Sequence, residues 1–350
     1  AILARNMNIP AIIGVGEEFL SDIKNGVPAI VDGYTGEIYI DPDNETLENM
    51  KKKQNDDIEK KKLLLELKGK ENITLDGTSV NIYANIGSVD NIGAVLLNDA
   101  GGIGLFRSEF LYLESSDYPS EEVQFTAYKK ALESMAGKKV IIRTLDIGAD
   151  KQADYFKLDK EDNPALGFRA IRICLSRPEI FKTQLRALYR ASVYGNLGIM
   201  FPMITSVGEF RRAEAAVREC MAELDAEKAA YNPGIELGVM IETPAAVMVA
   251  DLLAAEARFF SIGTYDLTQY VMAADRGNPR VAHLCDPFDT AVKRSVAMTL
   301  AAARSAGIEA GMCGELAADP RATQRLVALG LGEFSVGPPG HRPVETPYTD

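Results

Sequence analysis

At 350 residues, 47% of them hydrophobic, the chain is long enough to bury a barrel-sized core with sequence left over. Its formal net charge of -12 argues against nucleic acid as a partner, because binding a phosphate backbone requires a basic face. The sequence lacks a signal peptide and any run near the roughly 18 apolar residues of a membrane helix, so we expect a cytoplasmic protein without a membrane partner. Four dispersed cysteines without a CxxC pair argue against a disulfide framework or zinc site.

The first 43 residues predict a short helix and small strands, with VPAIVDG and EIYIDPD on either side of a turn. This segment begins without a cap or a preceding strand, so we expect the first half of a domain to be missing. Residues 44–70 are dense in Lys, Glu and good helix formers. They predict a solvent-exposed helical linker that extends to about residue 79.

From residue 80 the pattern changes to strands that alternate with helices, which is typical of a parallel sheet. The eight strand candidates are VNIYANI, GIGLF, KVIIRT, LGIMFPM, ELGVMIE, FFSIG, EAGMCG and EFSVG. Eight strands favour an α/β (β/α)8 TIM barrel over residues 80–336 rather than an open doubly wound sheet. The proline-rich tail, residues 337–350, is too short for a closing helix, so we expect the eighth helix to be absent.

Five of the apolar segments run into a residue that can do chemistry: Arg107, Arg143, Glu242, Asp266 and Cys313. The carboxyl ends of parallel strands meet on one rim of a barrel, where such folds build their active sites. Glu242 and Asp266 end adjacent strands, so they could share one Mg²⁺, which binds one or two carboxylates plus substrate oxygens. Alternatively, each carboxylate caps a helix or pairs with an arginine.

Arginines recur at these predicted strand ends and in the loops that follow them. A guanidinium group is planar, always charged and bidentate toward carboxylate and phosphate, so several on one rim suit a small polyanion. The four candidates are Arg107, Arg143, Arg169 and Arg276. Structural salt bridges to Glu109, Asp146 or Asp275 are the alternative for each of them.

Cys313 lies between glycines at a strand end and could act as an acid, because a neutral thiol can give a proton to carbon or oxygen. A nucleophilic role is less attractive, since no histidine lies nearby in sequence. The two histidines of the chain are His283, at the start of a helix, and His341, in the tail.

Taken together, the motifs of residues 80–336 resemble Enzyme I of the bacterial phosphoenolpyruvate-dependent sugar phosphotransferase system. The resemblance rests on GGIGLFRSEF, IIRTLDIGADK, NPALGFRAIR, IMFPMITS, LGVMIETPAA, FFSIGTYDLTQYVMAADRGN and GMCGELA. The segment ILARNMNIPAIIG is similar to the sequence just after the phosphorylated histidine of that family. We therefore expect residues 1–43 to be part of a swivelling phosphohistidine domain whose histidine would precede Ala1.

The resemblance implies a phosphotransferase reaction. Phosphoenolpyruvate and Mg²⁺ would bind at the rim, the phosphoryl group would pass to the histidine and on to a histidine-containing phosphocarrier protein, and pyruvate would be released. This is the first step of sugar uptake, and the family works as a homodimer. Carried over by motif, Glu242 and Asp266 hold the metal, the four arginines bind phosphate and carboxylate, and Cys313 protonates C3 of the enolate.

One position departs from the family, whose GTNDLTQY is GTYDLTQY here. Tyr265 replaces an asparagine expected beside the ligand, which predicts weaker substrate binding than in a Tyr265→Asn variant. Two other enzymes with the same barrel, pyruvate phosphate dikinase and phosphoenolpyruvate synthase, are the alternative, although both would need an ATP-binding domain. A non-catalytic module that binds phosphoenolpyruvate and dimerises is a further alternative.

Overall fold

The computed structural model describes residues 10–12, 15–16, 25–33, 35–148 and 153–337. The chain divides into two compact units, residues 1–70 and residues 71–350. The predicted N-terminal helix lies almost entirely outside the described residues. The prediction that an eighth helix is absent also concerns a segment outside them.

The first unit contains a hairpin followed by a long helix. Strands β1 (Ala29–Asp32) and β2 (Glu37–Ile40) pair in antiparallel register, and helix α1 covers Asn44–Leu65. Asp43 stabilises the start of α1 by accepting a 2.7 Å hydrogen bond from the Thr46 amide, as expected of a residue at a helix N-terminus. Lys53 on the helix forms an ion pair with Asp32 on β1. The predicted turn between strands is thus confirmed, and so is a charged helix, but the helix ends at Leu65 and does not extend over the rest of residues 44–79.

The second unit is a closed barrel in which every strand is parallel to its neighbours. The order around the barrel follows the sequence, and the last strand pairs with the first, so the predicted (β/α)8 architecture is confirmed. The eight strands are β3 (Asn81–Ile86), β4 (Gly102–Arg107), β5 (Lys139–Arg143), β6 (Asn196–Phe201), β7 (Glu236–Ile241), β8 (Phe259–Ile262), β9 (Glu309–Met312) and β10 (Glu333–Val336).

Helices connect successive strands and cover the outside of the barrel. They are α2 (Ile92–Leu97), α3 (Phe110–Leu113), α4 (Glu121–Ser134), α5 (Ile171–Ser176), α6 (Pro178–Ala191), α7 (Val207–Ala226), α8 (Pro244–Met248), α9 (Ala250–Ala254), α10 (Thr264–Met272), α11 (Thr290–Ala306) and α12 (Pro320–Ala328). Three of these helices start at a residue whose hydroxyl accepts a hydrogen bond from a backbone amide of the first turn, namely Ser120, Ser206 and Thr243. At the start of α7, Glu209 accepts a 2.6 Å hydrogen bond from the Thr205 amide, which is a variant of the capping box.

The inside of the barrel is filled by side chains and is not a channel. Six of them form a separate apolar cluster: Leu105, Ile141, Met200, Met240, Phe259 and Cys313. Glycines make room for the larger members. A Cβ atom on Gly238 would lie 2.4 Å from the Phe259 ring, so no other residue fits there without a shift. The barrel interior is therefore packed tightly, as in other barrels of eight strands.

Glu333 is the first residue of β10, and its carboxyl group is buried at the amino-terminal end of the barrel strands. Its side chain occupies the space left by Gly104, and within the described ranges its Oε1 atom has no hydrogen-bond partner. Burial, followed by the negative charge of Glu309, raises the pKa of Glu333 to about 8. The group is therefore largely protonated at neutral pH.

Across the described ranges, none of the helices combines the length and the apolar character needed to cross a membrane.

Candidate active site

Arg143 is the last residue of β5 and is buried between two carboxylates. Its Nη2 atom lies 2.7 Å from Glu109 Oε1, and its Nη1 atom lies 3.0 Å from Asp146 Oδ2. Burial disfavours the charged guanidinium, but the charges of Glu109 and Asp146 outweigh it, so the pKa of Arg143 is raised. Arg143 is thus a fixed positive charge in the rim.

Arg169 reaches the same aspartate from the loop after β5. Its Nη2 atom donates to Asp146 Oδ1 at 2.8 Å, and its Nη1 atom donates to the Tyr270 hydroxyl at 3.3 Å. The next residue, Ala170, has φ 52° and ψ -126°, a conformation that is costly for any residue with a Cβ atom. The strained backbone conformation thus lies directly next to Arg169 in the chain.

Buried polar contacts hold the backbone at the end of β5. The Ser108 hydroxyl donates to the Arg143 carbonyl at 2.7 Å. Gln184 on α6 donates to the Ser108 hydroxyl at 2.9 Å and accepts from the Leu145 amide at 2.9 Å. Because these groups satisfy one another away from water, they fix the position of Arg143 relative to α6.

Glu242 follows β7 and is 1% exposed. Its Oε1 atom accepts a 2.7 Å hydrogen bond from the amide of Met203, whose φ is +56°. Its Oε2 atom is buried without a hydrogen-bond partner among the described residues. Burial and the negative charges of Asp266 and Asp146 raise the pKa of Glu242 well above its usual range. An unpartnered carboxylate oxygen beside a second carboxylate is an arrangement that a cation would stabilise.

Asp266, in the first turn of α10, pairs with an arginine from the loop after that helix. Arg276 Nη1 donates to Asp266 Oδ1 at 2.8 Å. The same guanidinium lies over the Tyr265 ring, 3.7 Å from its centroid. The Gln269 side chain accepts from the Arg276 amide at 3.1 Å and so fixes its backbone. Arg276 is therefore held from two sides, by a carboxylate and by a ring face.

Cys313 directly follows β9 at the top of the apolar cluster. Burial raises the pKa of its thiol to about 11, although the positive charge of Arg143 opposes this shift. Arg107, at the end of β4, lies in register with Arg143 on β5 and is exposed. The barrel thus brings a protonated thiol, a buried arginine and an exposed arginine to one rim.

Every residue predicted from the sequence as a site residue lies at the carboxyl ends of the strands or in the loops after them. The alternative of structural ion pairs also occurs, because Arg143 and Arg169 share Asp146, and Arg276 pairs with Asp266 rather than Asp275. Sequence reasoning missed the contacts of Met203 and Tyr270. A backbone amide gives no signal in sequence, and Tyr270 is one aromatic among several in its segment.

The site residues also bear on metal binding. Within the described ranges, no three His, Cys, Asp or Glu side chains are grouped to hold a metal ion. Two carboxylates are nevertheless sufficient for Mg²⁺, which keeps several waters and takes oxygens from its substrate. Glu242 and Asp266 fit that requirement, because one is unpartnered at Oε2 and the other is only half-engaged by Arg276.

Comparison with known proteins gives two family matches. Residues 61–342 match the PEP-binding domain of PEP-utilising enzymes, and residues 1–36 match their mobile domain. The phosphoenolpyruvate-protein phosphotransferase of Priestia megaterium is 50% identical over 336 residues, which is 96% of this chain and 58% of that protein. The corresponding protein of Bacillus subtilis is 46% identical over 346 residues, 99% of this chain and 60% of its own length. The chain thus spans less than two thirds of these relatives.

Proposed function

Because this chain belongs to the PEP-utilising enzyme family, we propose that its barrel binds phosphoenolpyruvate with Mg²⁺ for phosphoryl transfer to a histidine, with release of pyruvate. The histidine would belong to a mobile domain, and the phosphoryl group would continue to a histidine-containing phosphocarrier protein, as the first step of sugar uptake. The observation that carries the proposal is the buried Oε2 atom of Glu242, which has no hydrogen-bond partner in the part of the chain that the structure describes and lies beside Asp266 on a rim rich in arginines.

Glu242 and Asp266 would hold Mg²⁺. When bound, the ion supplies Lewis-acid chemistry by neutralising charge on the phosphoryl group and on the enolate oxygen. Glu242 is kept in place by the Met203 amide, so its free Oε2 atom has a fixed direction. This rigidity favours ligand binding because little side-chain entropy remains to be lost.

The arginines would bind the phosphate and carboxylate of the substrate. Phosphoryl transfer depends mostly on positioning and charge neutralisation, which is what fixed guanidinium groups provide. Arg143 and Arg169 are ordered by Asp146 before any ligand arrives. Arg107 is exposed, so its guanidinium is accessible to an anion.

Cys313 would complete the reaction. Transfer of the phosphoryl group breaks the bond between phosphorus and the enol oxygen, and leaves the enolate of pyruvate. The thiol, with a pKa of about 11, holds its proton at neutral pH and can give it to C3. Proton transfer yields pyruvate and a thiolate, which the positive charge of Arg143 stabilises until solvent returns the proton.

Calorimetric titration with phosphoenolpyruvate, with and without Mg²⁺, tests the proposal. We expect binding that depends on Mg²⁺, and a loss of at least about tenfold in affinity in Glu242→Gln, because a neutral amide is a poor ligand for a hard cation. Glu219→Gln, which changes an exposed carboxylate on α7, is the matched control and should bind as the wild type does. Equal affinities for both variants would refute the metal assignment, and no binding by the wild type would refute the substrate.

Transfer itself can be tested by supplying a relative's histidine-bearing mobile domain in trans with labelled phosphoenolpyruvate. We expect stable label on the added domain only when the chain and Mg²⁺ are both present. Cys313→Ala should lower pyruvate release about 100-fold or more, the usual contribution of a general acid. Pyruvate release that is unaffected by this substitution would exclude Cys313 as the proton donor.

We also propose that the protein acts in the cytoplasm as a homodimer, as the family that it resembles does. Sedimentation equilibrium at micromolar concentration should give twice the 38.0 kDa chain mass. A monomer at all accessible concentrations would contradict the dimer.

A further inference from the structure

Tyr265 stacks against Arg276 in the candidate site, and the proposed phosphoryl transfer does not require this contact. Tyr265 is 55% exposed, and the Arg276 guanidinium stacks on its ring face at 3.7 Å from the centroid. The opposite partner of that guanidinium is Asp266 Oδ1, 2.8 Å from Nη1. Arg276 therefore has one charged partner and one uncharged partner.

The charged partner is also a ligand that we assign to Mg²⁺. An ion bound to Asp266 neutralises its charge and repels a guanidinium beside it, which weakens the ion pair. The ring is uncharged and does not compete for the cation. Its attraction for Arg276 comes from the negative face of the π-system, and it suits guanidinium because that group is only weakly hydrated.

We propose that Tyr265 is a positioning residue that keeps Arg276 at the rim when a divalent cation takes over Asp266, so that this arginine stays ordered for the anionic group of the substrate. The proposal rests on the proposed function. In the absence of the cation, the ion pair and the ring both hold Arg276. When the cation is bound, the ring still holds Arg276, so the guanidinium is already in position when the substrate binds.

Two substitutions of similar size separate the ring face from the hydroxyl group. Tyr265→Phe keeps the π-system, whereas Tyr265→Leu removes it and keeps an apolar side chain. With saturating Mg²⁺, we expect calorimetry to give Tyr265→Phe the wild-type affinity for phosphoenolpyruvate, and Tyr265→Leu an affinity about two- to fivefold weaker, as for a partly exposed cation–π contact. Equal affinity of the Phe and Leu variants would overturn the proposal.

A double-mutant cycle with Arg276→Met shows whether the ring acts through the arginine. In that background, Tyr265→Leu should cause no further loss of affinity, because the guanidinium it positions is gone. A loss as large as in the wild-type background would mean that the ring contacts the substrate directly, and would overturn the positioning role.

The contact itself has a readout that does not depend on the substrate. In chains labelled with ¹⁵N-arginine, the Arg276 Nε–H resonance should be shifted upfield by the ring in the wild type and in Tyr265→Phe, with and without Mg²⁺. The shift should be lost in Tyr265→Leu. Loss of the shift on addition of Mg²⁺ to the wild type would overturn the proposal. Absence of phosphoenolpyruvate binding by every variant would instead refute the proposed function, with the shift unaffected.

Discussion

At the scale of single residues, Asp146 is central to the candidate site because one carboxylate serves two buried arginines. Its Oδ2 atom pairs with Arg143 and its Oδ1 atom with Arg169. Two guanidinium groups without such a partner would be costly to bury together, since each must lose its hydration. Asp146 thus lets the protein fold with two positive charges already in position at the rim.

Asp146→Asn should therefore be strongly destabilising. The amide keeps the shape but removes the charge, which leaves Arg169 without its carboxylate and Arg143 with Glu109 alone. We expect urea denaturation to show a loss of about 3–5 kcal/mol in the free energy of unfolding, the usual cost of breaking a buried pair. Asp162→Asn, at an exposed position of the same loop, is the control. A loss below 1 kcal/mol, within the range of surface changes, would contradict this role.

Burial of Glu333 makes the stability of the protein depend on pH. Its carboxyl keeps its proton up to about pH 8 in the folded protein, whereas the unfolded chain releases it near the ordinary value of 4.5. Between these two pH values the folded state binds more protons. Stability contributed by this group therefore falls as pH rises, by at most about 1.4 kcal/mol per pH unit.

Glu333→Gln should remove that slope, because the amide does not titrate. Urea denaturation between pH 5 and 9 should show the variant gaining stability relative to the wild type as pH rises. Glu133→Gln, an exposed carboxylate on α4, is the matched control and should follow the wild-type curve. Parallel curves for wild type and Glu333→Gln would show that the buried group does not hold a proton.

The sequence predicted the identity of the rim residues but not their partners. Glu242, Asp266 and Cys313 could be placed on the rim because, in a parallel barrel, residues that directly follow the strands all lie at the carboxyl end. The stacking of Arg276 on Tyr265 joins two turns whose relative position depends on the loop after α10. The sequence therefore predicts only weaker substrate binding from Tyr265, whereas the contact between its ring and Arg276 is visible in the structure alone.

At the scale of elements, the strands were predictable because each is a short apolar run between turn signals, and all eight were found. The packing of side chains inside the barrel was not predictable. It depends on which strand glycines leave space for a neighbouring side chain, and a glycine in a strand has several possible explanations. Gly238 is explained by the Phe259 ring, which fills the space on the neighbouring strand where a side chain would lie. Pairs of this kind depend on register, which the sequence pattern leaves open.

Gly238→Ala should destabilise the barrel, because the new methyl group would lie 2.4 Å from the Phe259 ring in a closed interior. We expect thermal and urea denaturation to show a loss of about 1–3 kcal/mol, the usual cost of overpacking. Gly208→Ala near the start of α7 is the control, since its nearest neighbour would be 3.8 Å away. Equal stability of the two variants would mean that the ring moves aside without cost.

At the scale of the whole molecule, all residues of the candidate site belong to the second unit. The barrel is closed by its own strands, and all eight of them lie in this unit. We expect residues 71–350, expressed alone, to fold and to bind phosphoenolpyruvate with Mg²⁺ within about twofold of the full chain, as for independent parts. A folded barrel that no longer binds would show that the first unit contributes to the site.

The closure of the barrel also has a consequence for how the chain acquires its structure. β3 pairs with β10, with Asn81 opposite Glu333, and Asn85 donates to the Ser335 carbonyl across a separation of 250 residues. During synthesis on the ribosome, one edge of β3 therefore stays unpaired until β10, the last strand of the barrel, has been synthesised. Closing so long a loop is slow, and a strand edge that stays unpaired in the meantime is exposed to aggregation. We expect the nascent chain to depend on chaperones that cover this edge until β10 emerges.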